Sequence, residues 1–556
     1  MGFLGILEDT KLPHVPASVI LNEQIAHSET VTSHLKRGKG KDEHIVLVPQ
    51  PSDDPNDPLN WSPLKKLRAL VIVCFGTCLY AATFSPLLNT GLVVLAVEFN
   101  RPIGDITLIS GYMLLVAGAT APLVSACSRK WGKRPVFLGS ALFGIVGSIV
   151  GSVSSSYETL LAARIIQGLS VAAYESLVVS MVGDLYCVHE RGSYMSAVQF
   201  LLASAGNFSP TICGPITENL GWRYLFHLCI LFTGLQFILL FLFVPETQFR
   251  RDHRLDIDEL ASDNLEELAE IEKRHASHIE SQEIHKLGTT TGVFSSNGPG
   301  QEKTFLQELA VFTGKYCDDN FLQLVIAPFA VCTNLFVLWV VVISGYVVAT
   351  YVAQAYVLAQ IFTSPPYSLS AAGVGYLFLG PFTGGLIGLL VFGTIANPTA
   401  KWCSAKNGGI YEPEFRLLPT IGGLAAGAGL MGFGVLCQQQ ASYYATAVLH
   451  GITIFGIVAV AIGTAGYALD AFRDMSSEIF VSAIIFKNFL FYGFSYFVNS
   501  WTATRGPAYV FFVFGGVTLG LVATTPLVYV YGKKYRSFWA RHNVMRIMHI
   551  KTHSEL

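Results

Sequence analysis

Three charged side chains interrupt apolar runs long enough to cross a bilayer: Arg164, Glu175 and Lys487. A charge at membrane depth is costly and persists where it pairs, faces water, or moves a proton or a substrate. Arg164 and Glu175 lie eleven residues apart, about three helical turns and ~16 Å of rise, so one helix would present both on one face. A buried carboxylate with a raised pKa can hold a proton or a cationic substrate, in turn or in competition. A fixed arginine lowers the pKa of a carboxylate near it. The plainer readings are an arginine that snorkels to the outer headgroups and a protonated glutamate bonded to a neighbouring Ser or Tyr. Lys487 follows Glu478 by nine residues, or ~13 Å, and has no acid near it in its own run. Its partner must come from another helix or from a substrate, with Asn488 beside it as a further hydrogen-bonding group. Both structural pairing and substrate contact fit a lysine in that place.

The elements that must position these residues are helices in a membrane. Of the 556 residues 52% are hydrophobic and 13% charged, where a soluble domain carries about a quarter charged. Twelve apolar spans are expected near 69–95, 106–127, 134–155, 159–183, 194–217 and 224–244, then 328–358, 370–395, 417–437, 443–468, 479–501 and 508–531. Lysines and arginines at the span ends fall on one face, from Lys65, Lys66 and Arg68 through Lys130 and Lys401 to Lys533, Lys534 and Arg536. The positive-inside rule therefore predicts both termini in the cytosol. The organisation expected is a tail at 1–66, a bundle at 67–247, a loop at 248–320, a second bundle at 321–532 and a tail at 533–556. The acidic and Gly/Ser/Thr-rich loop reads as a solvated linker, and its His275, His278 and His285 as part of it rather than as metal ligands. A net charge of −2 gives no reason to expect a nucleic-acid partner, and ten cysteines without a C-x-x-C pair read as packing residues. Gly221-Trp-Arg-Tyr224-Leu-Phe226 before span six and Gly506-Pro-Ala-Tyr509-Val-Phe511 before span twelve share Gly, Tyr and Phe at equal offsets. Gly111-Tyr112 and Gly375-Tyr376 echo one another in spans two and eight, which favours two parallel six-span repeats.

A basic turn, Ser125-Ala-Cys-Ser-Arg129-Lys130-Trp131-Gly132-Lys133-Arg134-Pro135, separates spans two and three. It resembles the loop G-x-x-x-D-x-x-G-R/K-R/K of major facilitator superfamily transporters, with Arg129 where that family has aspartate. Arg164-Ile-Ile-Gln167-Gly168 is similar to the R-x-x-Q-G signature of the family, and Ser209-Pro210-Thr-Ile-Cys213-Gly214 looks like an altered antiporter motif. Asp54-Pro55-Asn-Asp-Pro58-Leu-Asn60-Trp61, Pro245-Glu246-Thr247 and Glu412-Pro-Glu414-Phe-Arg416 resemble segments of the fungal drug:proton antiporter branch. The resemblance implies an all-α membrane protein with twelve transmembrane helices in two pseudo-symmetric six-helix bundles. It implies a cavity lined by span four, with Arg164, Glu175, Lys487 and Asn488 as proton-coupling or substrate residues. It also implies a cytosolic gate of Gly132, Lys133, Arg134 and Arg129, in which Asp184 would bind Arg134 and Glu478 would meet Arg129. Small residues recur every four positions at Gly206, Pro210 and Gly214 in span five and at Gly380, Gly384 and Gly388 in span eight. In that fold the two stripes would face each other between the halves and let them rock.

There is no H-E-x-x-H, no G-x-S-x-G and no phosphate-binding G-x-x-x-x-G-K-[ST], so neither an enzyme nor an ATP-driven pump is expected. A channel would not need paired repeats. The expectation is a secondary transporter of a small organic compound by alternating access, exporting a drug or secondary metabolite by proton antiport. The alternative is a proton-coupled importer of cations such as polyamines. Its partners would be substrate, protons and lipid bilayer, with no cofactor, as a monomer in the plasma membrane.

Overall fold

A computed structural model describes residues 5–7, 15, 17–20, 51–187, 194–195, 197–198, 201–202, 206–249, 303–408 and 410–547. Most of the 248–320 loop, with its three histidines, lies outside them. Among the described residues eleven helices are long and apolar enough to cross a membrane. Spans one to four are Pro63–Thr83, Ile103–Trp131, Lys133–Ser152 and Tyr157–Leu185, and span six is Arg223–Phe243. Spans seven to twelve are Leu335–Phe362, Ala371–Lys406, Pro413–Gln438, Tyr443–Ala471, Ser476–Arg505 and Pro507–Arg541. The fifth place is taken by Gly206–Asn219, the described part of span five.

Spans eight and twelve run on to Lys406 and Arg541, past the expected 395 and 531, and spans one and seven depart from their expected boundaries for local reasons. Span one starts early because Ser62 caps Lys65 N and Pro63 takes the first turn, where a missing N–H does no harm. It ends at Thr83, ahead of Ser85-Pro86, and Leu92–Glu98 is a separate short helix rather than its continuation. The run at 328 belongs to a separate helix, Phe321–Ala330. Asn334 Oδ1 then accepts from Phe336 N at 3.0 Å and Val337 N at 3.2 Å, starting span seven at Leu335.

The repeat is visible in helix positions. Spans four and ten each have 29 residues and each begin with tyrosine. Counted from those tyrosines, Arg164 and His450 hold the same place, and so do Asp184 and Asp470. Gly221 and Gly506 open spans six and twelve with φ of 92° and 80°, a left-handed backbone that suits glycine. Gly111 and Gly375 both sit where the halves touch. A Cβ on Gly111 would meet the Cβ of Ser495 in span eleven at 2.8 Å, and one on Gly375 would meet the carbonyl of Pro210 in span five at 2.6 Å.

Spans two and eleven pack along their length, and spans five and eight pack on the side away from the basic face. Thr107 and Asn499 bond at 2.6 Å in the first pair, and Thr211 Oγ1 donates to Gly375 O at 3.2 Å in the second. The glycine stripes do not face each other, contrary to expectation. Gly380, Gly384 and Gly388 lie against Ala447, Gly451 and Phe455 of span ten, inside the second half. Gly214 does reach Ala371, ahead of the stripe, while Gly206 lies against Ala82 of span one. Span eight meets span five at Ala371–Gly375 and again where Phe382 packs on Phe208, ring centroids 5.1 Å apart, while its later glycines turn inward to let span ten approach.

A two-stranded antiparallel sheet joins the amino-terminal segment to the loop between spans eight and nine, β1 being Val19–Ile20 and β2 Ile410–Tyr411.

Candidate functional site

Near the middle of span four Glu175 turns toward span eleven. Its Oε1 lies 3.1 Å from Lys487 Nζ and its Oε2 accepts from Asn488 Nδ2 at 3.1 Å. Both carboxylate oxygens are therefore engaged by one helix of the other half. The glutamate side chain is 9% exposed and the lysine 22%, so the lysine end of the pair is not sealed by packing. Asn488 is fully buried, and a Cβ on Gly118 of span two would meet its Cβ at 2.9 Å; only glycine admits the amide so close to span two. Lys487 Nζ also stands 5.9 Å from the centroid of Phe491, one helical turn on.

Arg164 belongs to a different environment, and the charged stripe expected to join it to Glu175 is not formed. Its side chain is fully buried and does not snorkel. Nη1 donates to Gln167 Oε1 at 2.8 Å and Nη2 to the carbonyl of Phe84 at 2.6 Å. That carbonyl stands where span one has ended before Pro86, so the guanidinium satisfies a helix terminus that has no further turn to pair with. Eleven residues return nearly to the same face, yet a long side chain at that depth bends to the nearest unpaired oxygens.

On the basic face, Arg129 Nη1 lies 2.6 Å from Glu478 Oε1, with side chains 7% and 3% exposed. This pair joins span two to span eleven and so crosses between the halves. Asp184 does not bind Arg134 as expected; it pairs with Lys133, within the first half. Arg134 is drawn elsewhere by backbone chemistry. Pro245 has no N–H to give the carbonyl of Phe241 four residues earlier, and Arg134 Nη2 donates to that carbonyl at 2.7 Å. Its other nitrogen bonds the carbonyl of Val244. Gly132, with φ 96°, makes the turn that sets the adjacent cations on diverging paths.

Sequence reasoning quoted Glu246 only as part of a motif and missed its role. Its oxygens accept from Lys133 N at 2.9 Å and Arg134 N at 3.0 Å, an anion on the amino terminus of span three. Burial pushes this carboxyl above its ordinary range, against the pull of three backbone amides and Lys133. The signal was present: an acid directly after a proline that ends span six. His450 was missed as well. It is fully buried among Tyr351, Phe378 and Phe433, whose ring centroids lie 5.6, 6.0 and 5.9 Å away. In the second half, Arg416 Nε lies 2.8 Å from Asp470 Oδ2, and Tyr411 bonds the same oxygen. Asp470 thus anchors its half as Asp184 anchors the first.

A charged pair at mid-depth between two helical bundles, under a ring of ion pairs on one face, can act as a latch that a proton or a substrate undoes. A family profile described as Major Facilitator Superfamily matches residues 70–474. An uncharacterized MFS-type transporter of Schizosaccharomyces pombe is 24% identical, over 96% of this chain and 94% of its own length. Protein HOL1 of Saccharomyces cerevisiae is 22% identical, over 91% and 92%. The efflux pump radE of Floropilus chiversii is 25% identical, over 89% and 86%. Among solved structures, the xylose transporter XylE from E. coli in a partially occluded inward-open conformation aligns with a TM-score of 0.53. It is 13% identical, covering 83% of this chain and 98% of its own.

Proposed function

The chain belongs to the Major Facilitator Superfamily, and we propose that within it the protein is a proton-coupled exporter of a small organic compound, a drug or secondary metabolite. The observation that carries this reading is the Glu175–Lys487 pair, which links the two halves with its lysine end not sealed by packing. A proton arriving on Glu175 removes the charge that holds Lys487. Breaking a buried pair from one side is strongly unfavourable unless the abandoned charge finds water or a ligand. Protonation therefore favours an arrangement in which spans four and eleven separate and Lys487 is wetted, and loss of the proton draws them back. Asn488, on the same helix as Lys487, shares the glutamate in the joined state and leaves it when the spans part. Arg129 and Glu478 close the basic face while the inner pair is made.

Export is supported by the description of one relative as an efflux pump. The importer of cations is the second reading, and one observation weighs against it. Glu175 already has a cation, so a polyamine would have to displace Lys487 before binding. In this proposal the protein has no catalytic chemistry, works as a monomer in the plasma membrane, and keeps both termini in the cytosol.

Glu175→Gln is expected to abolish transport driven by an imposed proton gradient while the protein still reaches the membrane. The assay is accumulation of dyes, polyamines and azoles in cells with and without the protein, and with and without an uncoupler. Undiminished pH-dependent flux in the variant would sink the coupling role. Lower accumulation on deletion of the gene would instead mark an importer.

A further inference from the structure

Ahead of span one, residues 5–7 and 17–20 are docked on the opposite half of the molecule. The strand Val19–Ile20 pairs with Ile410–Tyr411, Val19 standing across from Tyr411. Leu7 N donates to the carbonyl of Val530 in span twelve at 3.1 Å. Ile6 is 1% exposed, in one cluster with Val331, Phe415, Tyr467 and Trp539. Apolar anchoring, a backbone bond and strand pairing thus hold the same short strap at separate points.

Between those anchors Ser18 enters a cluster of buried charges. Its hydroxyl donates to Glu412 Oε2 at 2.6 Å and accepts from Arg536 Nη1 at 3.4 Å. Glu412 also meets Lys533 at 2.7 Å and Arg536 at 2.7 Å, and Glu414 meets the same guanidinium at 3.0 Å. Among the described residues two acids and two cations balance one another, and the acids and Arg536 are almost sealed from water. A neutral group with a proton to give Glu412 fits this place. A phosphate does not: it brings about −1.5 to −2 charges, loses the donor and stands against two buried carboxylates.

We propose that Ser18 is a phosphorylation site whose modification releases the strap and frees the loop between spans eight and nine. A protein kinase would supply the γ-phosphoryl group of ATP. The bond from Ser18 Oγ to phosphorus forms, the bond from that phosphorus to the β–γ bridging oxygen breaks, the hydroxyl proton departs and ADP leaves. Because Ser18 is buried when docked, the undocked strap is the substrate, and the added charge traps it there. The freed loop matters because β2 carries Tyr411, which bonds Asp470 beside Arg416. The strap is thereby fastened to the charge cluster that ties down the basic end of span ten.

Amide hydrogen exchange on the full-length protein in lipid nanodiscs tests this, read on peptides covering Leu7, Val19–Ile20 and Ile410–Tyr411. Ser18→Ala, which loses one hydrogen bond but adds no charge, should lower the protection far less than Ser18→Asp. Ser18→Asp should lower it by roughly tenfold or more on the strap and on Ile410–Tyr411 together. Ile6→Asp, which leaves the charge cluster intact, should do the same through the apolar anchor. Full protection in Ser18→Asp, or a released strap with Ile410–Tyr411 still protected, overturns the proposal. Mass spectrometry of the protein from its own membranes should find phosphate on Ser18, and its absence across growth conditions overturns the modification.

Discussion

Neighbouring cations that look interchangeable in the sequence have different work in the folded chain. Arg129 crosses to the other half, Lys133 stays with Asp184 in its own, and Arg134 caps carbonyls at the end of span six. This separates two substitutions that a charge count would treat alike. Glu478→Gln removes the partner of a buried arginine between the halves, a change of about 3–5 kcal/mol for a pair of this kind. It should open the basic face, so that a cysteine placed beside Lys487 reacts faster with a membrane-impermeant thiol reagent from that side. Asp184→Asn should leave that reactivity near the wild-type rate and lower the thermal stability of the detergent-solubilised protein instead. Equal effects from the two would mean that the Arg129–Glu478 pair is no gate. The Arg129–Glu478 pair was legible beforehand, but that Lys133 rather than Arg134 meets Asp184 was not. The choice was made by carbonyls left over at helix ends, and those ends depend on where Pro86 and Pro245 fall in three dimensions.

At the scale of helices, the same residue type carries two meanings. Gly375 lies between the halves, where an added methyl would press on Pro210, and Gly384 lies within the second half, facing Gly451. Gly384→Ala is expected to destabilise that bundle by about 1–3 kcal/mol, the usual effect of overpacking, measured as a lower midpoint of thermal unfolding. Gly375→Ala should leave the midpoint nearly unchanged and shift the balance between open and closed arrangements, read by thiol accessibility. Much at this scale was legible: spans, their order, the basic turn and the Gly111/Gly375 repeat follow from hydropathy and short identities. The partner of each glycine stripe was not, because a four-residue spacing says that a helix approaches closely but not which one. Glu175 and Lys487 were each legible as deep charges in need of partners. That they satisfy each other required knowing that spans four and eleven come from opposite halves and meet.

For the molecule as a whole, the amino-terminal strap responds to pH through Glu412. Burial raises the pKa of that carboxyl, but Arg536, Lys533 and the Ser18 hydroxyl outweigh burial and hold it below the ordinary range. Of these only the Ser18 hydrogen bond comes with the docked strap, so this support is present while Glu412 is ionised and is lost as pH falls through its docked value. Exchange protection of the strap should therefore be constant from neutral pH to about 5 and decline only in stronger acid. A decline near pH 6.5 would assign the sensitivity to a histidine instead. The inner pair has a consequence of another kind. Glu175 and Lys487 neutralise each other whenever no proton or cargo intervenes. In the proposed proton-coupled cycle an idle copy therefore rests with its halves joined rather than cycling empty, so a cell that makes the protein in excess would not short-circuit its own membrane gradient.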